Sequence, residues 1–304
     1  MSESFPVEEL PAALAPLPPA AALRPGPVRR IGSFLLRNPG GVIGATIVLC
    51  LVLSAVLAPI IAPYDPLHMG AGRRLTPPSP AHPFGTDEFG RDLLSRVIYG
   101  SRLTLQIGLI AVSISLGTGL LVGLVGGYSG GWVERILMRG TDVLFSFTDT
   151  LIALAAVAVL GPSLTNAMIA VGIAAIPYYA RVTYGVVLVE KSKPYFDAAV
   201  AAGAGHLRII FVHLLPNVIP PLIVVASLGV SAAVLAAAGL SFLGLGAQPP
   251  SPEWGAMLAS GRDYFTRASW IMTFPGLAIA LSVLGFNLLG DALREALDPR
   301  QRRR

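Results

Sequence analysis

Six stretches of this chain, each about 20 residues long, are nearly free of charge, and that spacing fixes the solvent it folds in. A helix rises 1.5 Å per residue, so a stretch of that length crosses the hydrocarbon core of a bilayer. Residues 38–64 carry no charge and hold a first span near 41–62. Residues 103–133 hold a second near 104–127. A charge-poor region from about 139 to Arg181 is interrupted by Gly161-Pro162-Ser163-Leu164-Thr165-Asn166, a turn-forming cluster, which divides it into spans near 139–160 and 167–188. Residues 209–252 hold a fifth span near 217–240, and 268–290 form the sixth.

Composition agrees. The 304 residues are 54% hydrophobic and 13% charged, where a soluble domain carries about 25% charge. Too few charges remain to cover a soluble surface, and the expected class is an all-α membrane protein of six transmembrane helices forming one bundle. The net charge of +5 does not point to nucleic acid, because the basic residues sit at the ends of apolar runs and no basic–aromatic recognition motif occurs. The lone Cys50, inside an apolar run, excludes an intramolecular disulfide and a thiolate metal cluster within one chain.

Residues 1–30 are rich in Pro and Ala, with Glu3, Glu8 and Glu9, and lack the basic start and apolar core of a signal peptide; a disordered cytoplasmic tail is expected. The expected organisation continues with the first span and outer loop over 31–103, a core bundle over 104–295 and a basic tail over 296–304. Six spans place both termini on one side. With cytoplasmic termini, fifteen of the lysines and arginines fall inside and seven outside, the bias that topology follows. Gly119, Gly123 and Gly127 recur on one face of the second span, where the missing Cβ lets a neighbouring helix approach; packing is the expected role.

The loop at 190–216, between the fourth and fifth spans, is the most informative. Pro194 suits a first helical turn, Ser192 is the expected cap, the alanines from Ala198 favour helix, and Gly203 can end it in the left-handed region. A second short helix is expected to run to Pro216. The product is a helix–Gly–helix on the cytoplasmic face, a lever by which a partner moves two spans together.

This segment resembles the coupling loop of ABC importer permeases: Glu-Ala-Ala, three residues, Gly, nine residues, then a stretch ending in Leu-Pro. Asp197-Ala198-Ala199, Gly203 and Leu215-Pro216 occupy those positions, and Arg208 lies between them. Asp197 in place of glutamate shortens the acid by one methylene. His82-Pro83-Phe84-Gly85-Thr86-Asp87-Glu88-Phe89-Gly90-Arg91-Asp92, the stretch from Gly239 to Pro250, and that from Gly290 to Pro299 are similar to the dipeptide/oligopeptide/nickel group. The resemblance covers roughly 30–300. It implies a MetI-like permease fold in a bacterial inner membrane, a second permease subunit completing the pore, two cytoplasmic ATPases gripping the coupling helices, and an extracytoplasmic solute-binding protein delivering cargo. ATP and Mg would be bound by the ATPases and no cofactor by this chain. Its only lysines, Lys191 and Lys193, follow Glu190 and Ser192, so no Gly-Lys-Ser/Thr phosphate loop exists. The chain is expected not to be an enzyme.

Asp142 and Asp149 lie seven residues apart on the expected third span and would share a face. An acid within a span faces a cavity or a partner. Asp149 stands, as Thr148-Asp149, where the resemblance leads one to expect Pro-Ser, and it is expected to line the pathway and favour cargo with a free amine; the other reading puts it at the wet end of a later-starting helix. Arg181 is placed to snorkel or to pair with Asp142. Pro177 is expected to kink its helix, and Tyr178 and Tyr179 are candidates for a gate or for packing. No catalytic set and no metal-ligand set appears. Two alternatives stand beside the peptide importer. One is an ion-coupled secondary transporter, which would show inverted repeats that this sequence lacks. The other is nickel-chelate or opine cargo within the same group. A reading from another class, a membrane scaffold with no transport role, would need only packing surfaces.

Overall fold

The computed structural model describes residues 38–297. The expected tail over 1–30 and most of the basic tail lie outside them. Every regular element among the described residues is helical, with one isolated bridge between Thr86 and Asp92. The helices are α1 (Pro39–Ile61), α2 (Leu93–Ser129), α3 (Gly131–Phe145), α4 (Asp149–Leu160), α5 (Leu164–Ala174), α6 (Ile176–Lys191), α7 (Pro194–Ala201), α8 (Leu215–Phe242), α9 (Trp254–Gly261) and α10 (Trp270–Leu297). Five helical stretches are long and apolar enough to span a membrane, counting α5 with α6 as one, and six if the bent pair α3–α4 is one span.

Side chains set the helix starts. Asn38 Oδ1 accepts the Gly40 and Gly41 N–H groups, Asp92 accepts that of Ser95, and Ser163 that of Asn166. The Asp92 cap starts α2 well before residue 104, so its 37 residues extend about 55 Å and protrude from the bilayer.

The third span departs from expectation. α3 and α4 meet at 90°. The Ser146 hydroxyl donates back to Val143 O, and the Phe147 N–H closes on Leu144 O, which ends α3 one turn before α4 begins. Asp142 therefore ends one helix and Asp149 begins the next, and the expected shared face does not exist. The fourth span is also divided, with Ala175 as the joint and Pro177 in the first turn of α6.

The glycine stripe packs as expected. A Cβ on Gly119 would lie 2.5 Å from Tyr179 Cβ, and one on Gly127 2.8 Å from Val187. α2 and α6 thus run parallel in backbone contact, where dispersion replaces the hydrophobic drive that lipid cannot supply. Gly44 meets Leu288 and Leu289, and Gly285 meets Ile47, so α1 and α10 pack antiparallel. Asn38 Nδ2 donates to Glu295 Oε2 at 2.6 Å, bringing the first and last described turns to one end of the bundle. Cys50 is exposed on the outer face of α1.

At the opposite end, residues 62–92 fold into a buried polar knot. His82 Nδ1 lies 2.9 Å from Asp92 Oδ1, and Arg91 Nε donates to Asp87 at 2.6 Å. The Arg96 guanidinium donates to the carbonyls of Pro66, Pro250 and Ser251. Trp270 Nε1 donates to Thr86 O and Trp254 Nε1 to Val97 O. Two loops distant in sequence are thereby joined.

Candidate coupling segment and cavity

Local chemistry dictates the coupling segment. Pro194 opens α7, and Asp197 lies in its first turn, where the helix dipole favours an acid. Lys193, not Ser192, is the residue before the helix; the Ser192 hydroxyl is occupied by Val189 O as it terminates α6. Gly203 has φ +74°, its N–H donates to Val200 O and that of Ala204 to Ala199 O. That pair of bonds is a Schellman closure, which requires the left-handed residue that glycine supplies. No residue of α7 is buried. Asp197, Ala198, Gly203 and Arg208 are exposed, and Val200 and Leu207 present 51% and 72% of their surface to solvent.

The second arm differs from expectation. One α-turn, His206–Arg208, leads into a π-helix, Ile209–Leu214, which runs straight into α8. Pro216 has no N–H to give Val212, and the Leu215 N–H closes instead on Ile210 O. Leu215 and Pro216 thus open a long span rather than close a short helix.

A buried carboxylate ties these parts together. Glu190, 7% exposed, accepts from Lys193 Nζ at 2.5 Å and from the Tyr195 hydroxyl at 2.8 Å. The Tyr195 oxygen also lies 3.5 Å from His213 O, which accepts Asn217 Nδ2 at 2.7 Å. Burial, then the bond to Glu190, pushes the Tyr195 phenol up to about 12. Lys191 Nζ donates to the last carbonyls of α2, Gly127 O and Tyr128 O, and the Tyr128 hydroxyl meets His206 Nδ1 at 2.5 Å. The ends of α2, α6, α7 and α8 form one hydrogen-bonded block. Sequence reasoning assigned Glu190, Tyr195 and Tyr128 no role; the signal available was an acid at the end of a span with lysine three residues later.

A cavity of about 780 Å³ opens among α2, α4, α5, α6, α8 and α10. Alanine, valine and leucine dominate its wall, with Asp149, Tyr178, Tyr179, Ser115, Ser231 and Asn287 as the main polar groups. Asp149 and Tyr178, both expected on the pathway, are brought together here. Tyr178 is 48% exposed, whereas Tyr179 is buried, its hydroxyl against Gly229 with no hydrogen-bond partner among the described residues. Asp142 and Arg181 are not on this wall. They form an ion pair with each other, both about half exposed, which with the Tyr184–Glu134 hydrogen bond fastens α3 onto α6. Asp142 lines a second hollow of about 350 Å³ with Glu134, Arg135 and Arg139.

Comparison with known proteins matches residues 119–303 to the model for binding-protein-dependent transport system inner membrane components, and residues 27–78 to the N-terminal transmembrane domain of oligopeptide transport permease C. The di/tripeptide transport system permease protein DppC of Pseudomonas aeruginosa is 47% identical over 292 residues, 94% of this chain and 96% of that protein. The dipeptide transport system permease protein DppC of Escherichia coli K12 is 45% identical, covering 90% and 93%. The glutathione transport system permease protein GsiD of Pectobacterium atrosepticum is 43% identical, covering 90% and 91%. A solved structure of the MetNI methionine ABC transporter, in an inward-facing conformation, aligns with a TM-score of 0.56 at 19% identity, covering 68% of this chain and 98% of that one. That likeness concerns the fold.

Proposed function

Because this chain belongs to the family of binding-protein-dependent transport system inner membrane components, we propose that it forms half the pore of an ATP-driven importer for dipeptides and related short peptides. The single observation that carries the mechanism is the exposed α7, bonded through Tyr195 to Glu190 at the end of α6, with the same hydroxyl oxygen against His213 O at the root of α8. A partner that grips Asp197, Ala198, Ala199, Gly203 and Arg208 moves both spans through those contacts, with Leu215 and Pro216 at the root of α8. Movement of α6 and α8 reshapes the cavity they line, which is alternating access.

On this reading two cytoplasmic ATPases bind ATP and Mg and grip the segment, a second permease subunit covers the open side of the cavity, and a solute-binding protein docks at the end that carries the polar knot. Both termini are then cytoplasmic, on the side of α7. This chain binds no cofactor and performs no hydrolysis. Peptide cargo is preferred over a nickel chelate or opine because relatives of 45–47% identity carry di- and tripeptide names. Reconstitution with ATPases and binding protein in proteoliposomes tests it. Dipeptide uptake should require ATP and persist when ion gradients are collapsed; uptake driven by a gradient without ATP would contradict it.

A further inference from the structure

The cavity holds one acid, and that acid has no partner. Asp149 begins α4 at the 90° break, exposed on the cavity wall, with no hydrogen bond or ion pair among the described residues. The neighbouring acid in sequence, Asp142, is satisfied by Arg181. Asp149 also sits in the first turn of α4, where the dipole favours negative charge. Exposed at the start of its helix rather than embedded within one, as the second sequence reading expects, Asp149 is accessible to whatever enters the cavity.

Two further polar groups line the wall. The Tyr179 hydroxyl, 1% exposed, packs against Gly229 and is turned away from the open cavity. The Asn287 amide lies 2.6 Å from the Ser231 hydroxyl, which also faces Leu228 O at 2.6 Å, and borders the cavity. The wall therefore carries a negative charge on α4 and a neutral amide on α10, separated by apolar surface. Its volume falls in the range of about 300–1,000 Å³ typical of small-molecule sites.

We propose that Asp149 is a cargo-recognition residue that pairs with the free ammonium group of a short peptide inside the cavity, while Asn287 donates to its carbonyl or carboxylate oxygens. The inference rests on the importer reading and names the residue that recognises its cargo. The apolar wall between these groups tolerates many side chains, so selection falls on the charged end that all such peptides share. The titratable groups on the cavity wall are Asp149, Tyr178 and Tyr179; α2, α5, α8 and α10 contribute none, and the nearby Arg181 is held by Asp142.

The test is dialanine uptake per ATP hydrolysed, by the full complex with its binding protein, for wild type, Asp149→Asn and Asp149→Glu. A peptide amine titrates near pH ~8. The wild-type to Asp149→Asn ratio should be about tenfold at pH ~6.5, the size of one charge-assisted bond, and should fall towards one by pH ~9, where the amine is neutral. The same binding protein serves both complexes, so its own pH dependence cancels in the ratio. Asp149→Glu should keep most uptake at pH ~6.5, which separates lost charge from lost structure. A ratio of one at pH ~6.5, or one that does not change with pH, overturns the proposal. Failure of the wild-type complex to show any ATP-dependent uptake overturns the importer reading instead.

Discussion

The Tyr195 hydroxyl donates to Glu190 Oε2 at 2.8 Å, across the joint where the last turn of α6 gives way to α7. The same oxygen lies 3.5 Å from His213 O at the root of α8, so one side chain touches the ends of the two helices that the proposed coupling stroke would move. Removing it should cost transmission before it costs folding. Tyr195→Phe, which keeps the ring, is expected to lower peptide uptake per ATP hydrolysed about fivefold, the effect of one net hydrogen bond of about 1 kcal/mol. Measured ATP turnover and uptake together would show a rise in ATP spent per peptide; an unchanged ratio would remove Tyr195 from the path.

Gly123 should not tolerate a side chain. Its Cβ would lie 2.4 Å from Ala180 O, a backbone atom with nowhere to go. Gly123→Val is expected to destabilise the chain by about 1–3 kcal/mol through overpacking, read as a lower melting temperature in detergent. Gly140→Ala, where nothing lies within 4 Å, serves as the neutral control.

Arg96 holds three carbonyls from two loops and faces Asp87 at 3.6 Å. Arg96→Met is expected to leave those carbonyls without their donor, while Asp87 keeps Arg91, at a cost of about 1–3 kcal/mol. Limited proteolysis should then cut within 62–92 or 243–253 much faster than in wild type.

Burial raises the Glu88 carboxyl above its ordinary value. The folded chain then holds that proton more tightly than the unfolded one. The associated stability is present below the unfolded value and is lost as pH rises through the folded value. Glu88→Gln should flatten that part of the pH–stability profile, measured by thermal melting across the acid range.

How far the sequence led can be stated residue by residue. Charge-free stretches located the spans, because the cost of a charge in lipid is large and local. Gly203 marked the end of α7, because only a residue tolerant of positive φ closes a helix that way. The bend at 146–148 was not legible: Ser146-Phe147-Thr148 contains no glycine or proline, and a serine that bonds back to the preceding turn looks like any other. The π-turn has no sequence signature beyond the proline that follows it. The polar knot is not legible in the sequence because Arg96 and the carbonyls at 250 and 251 are about 155 residues apart, a pairing only tertiary structure creates. In the cavity, Asp149 and Tyr178 are legible through their residue types, whereas an asparagine near the end of a span, such as Asn287, looks like any packing residue.

The most direct test asks whether α7 is where an ATPase takes hold. Ala198, exposed on α7, can be replaced with cysteine in a Cys50→Ser background, which removes the chain's other thiol. With an ATPase subunit carrying a cysteine in its permease-facing groove, Ala198→Cys should form a cross-link whose yield changes with ATP, and should react with a membrane-impermeant maleimide only in inside-out vesicles. Labelling from the outer face, or the absence of any cross-link in a complex that still transports, would contradict the account.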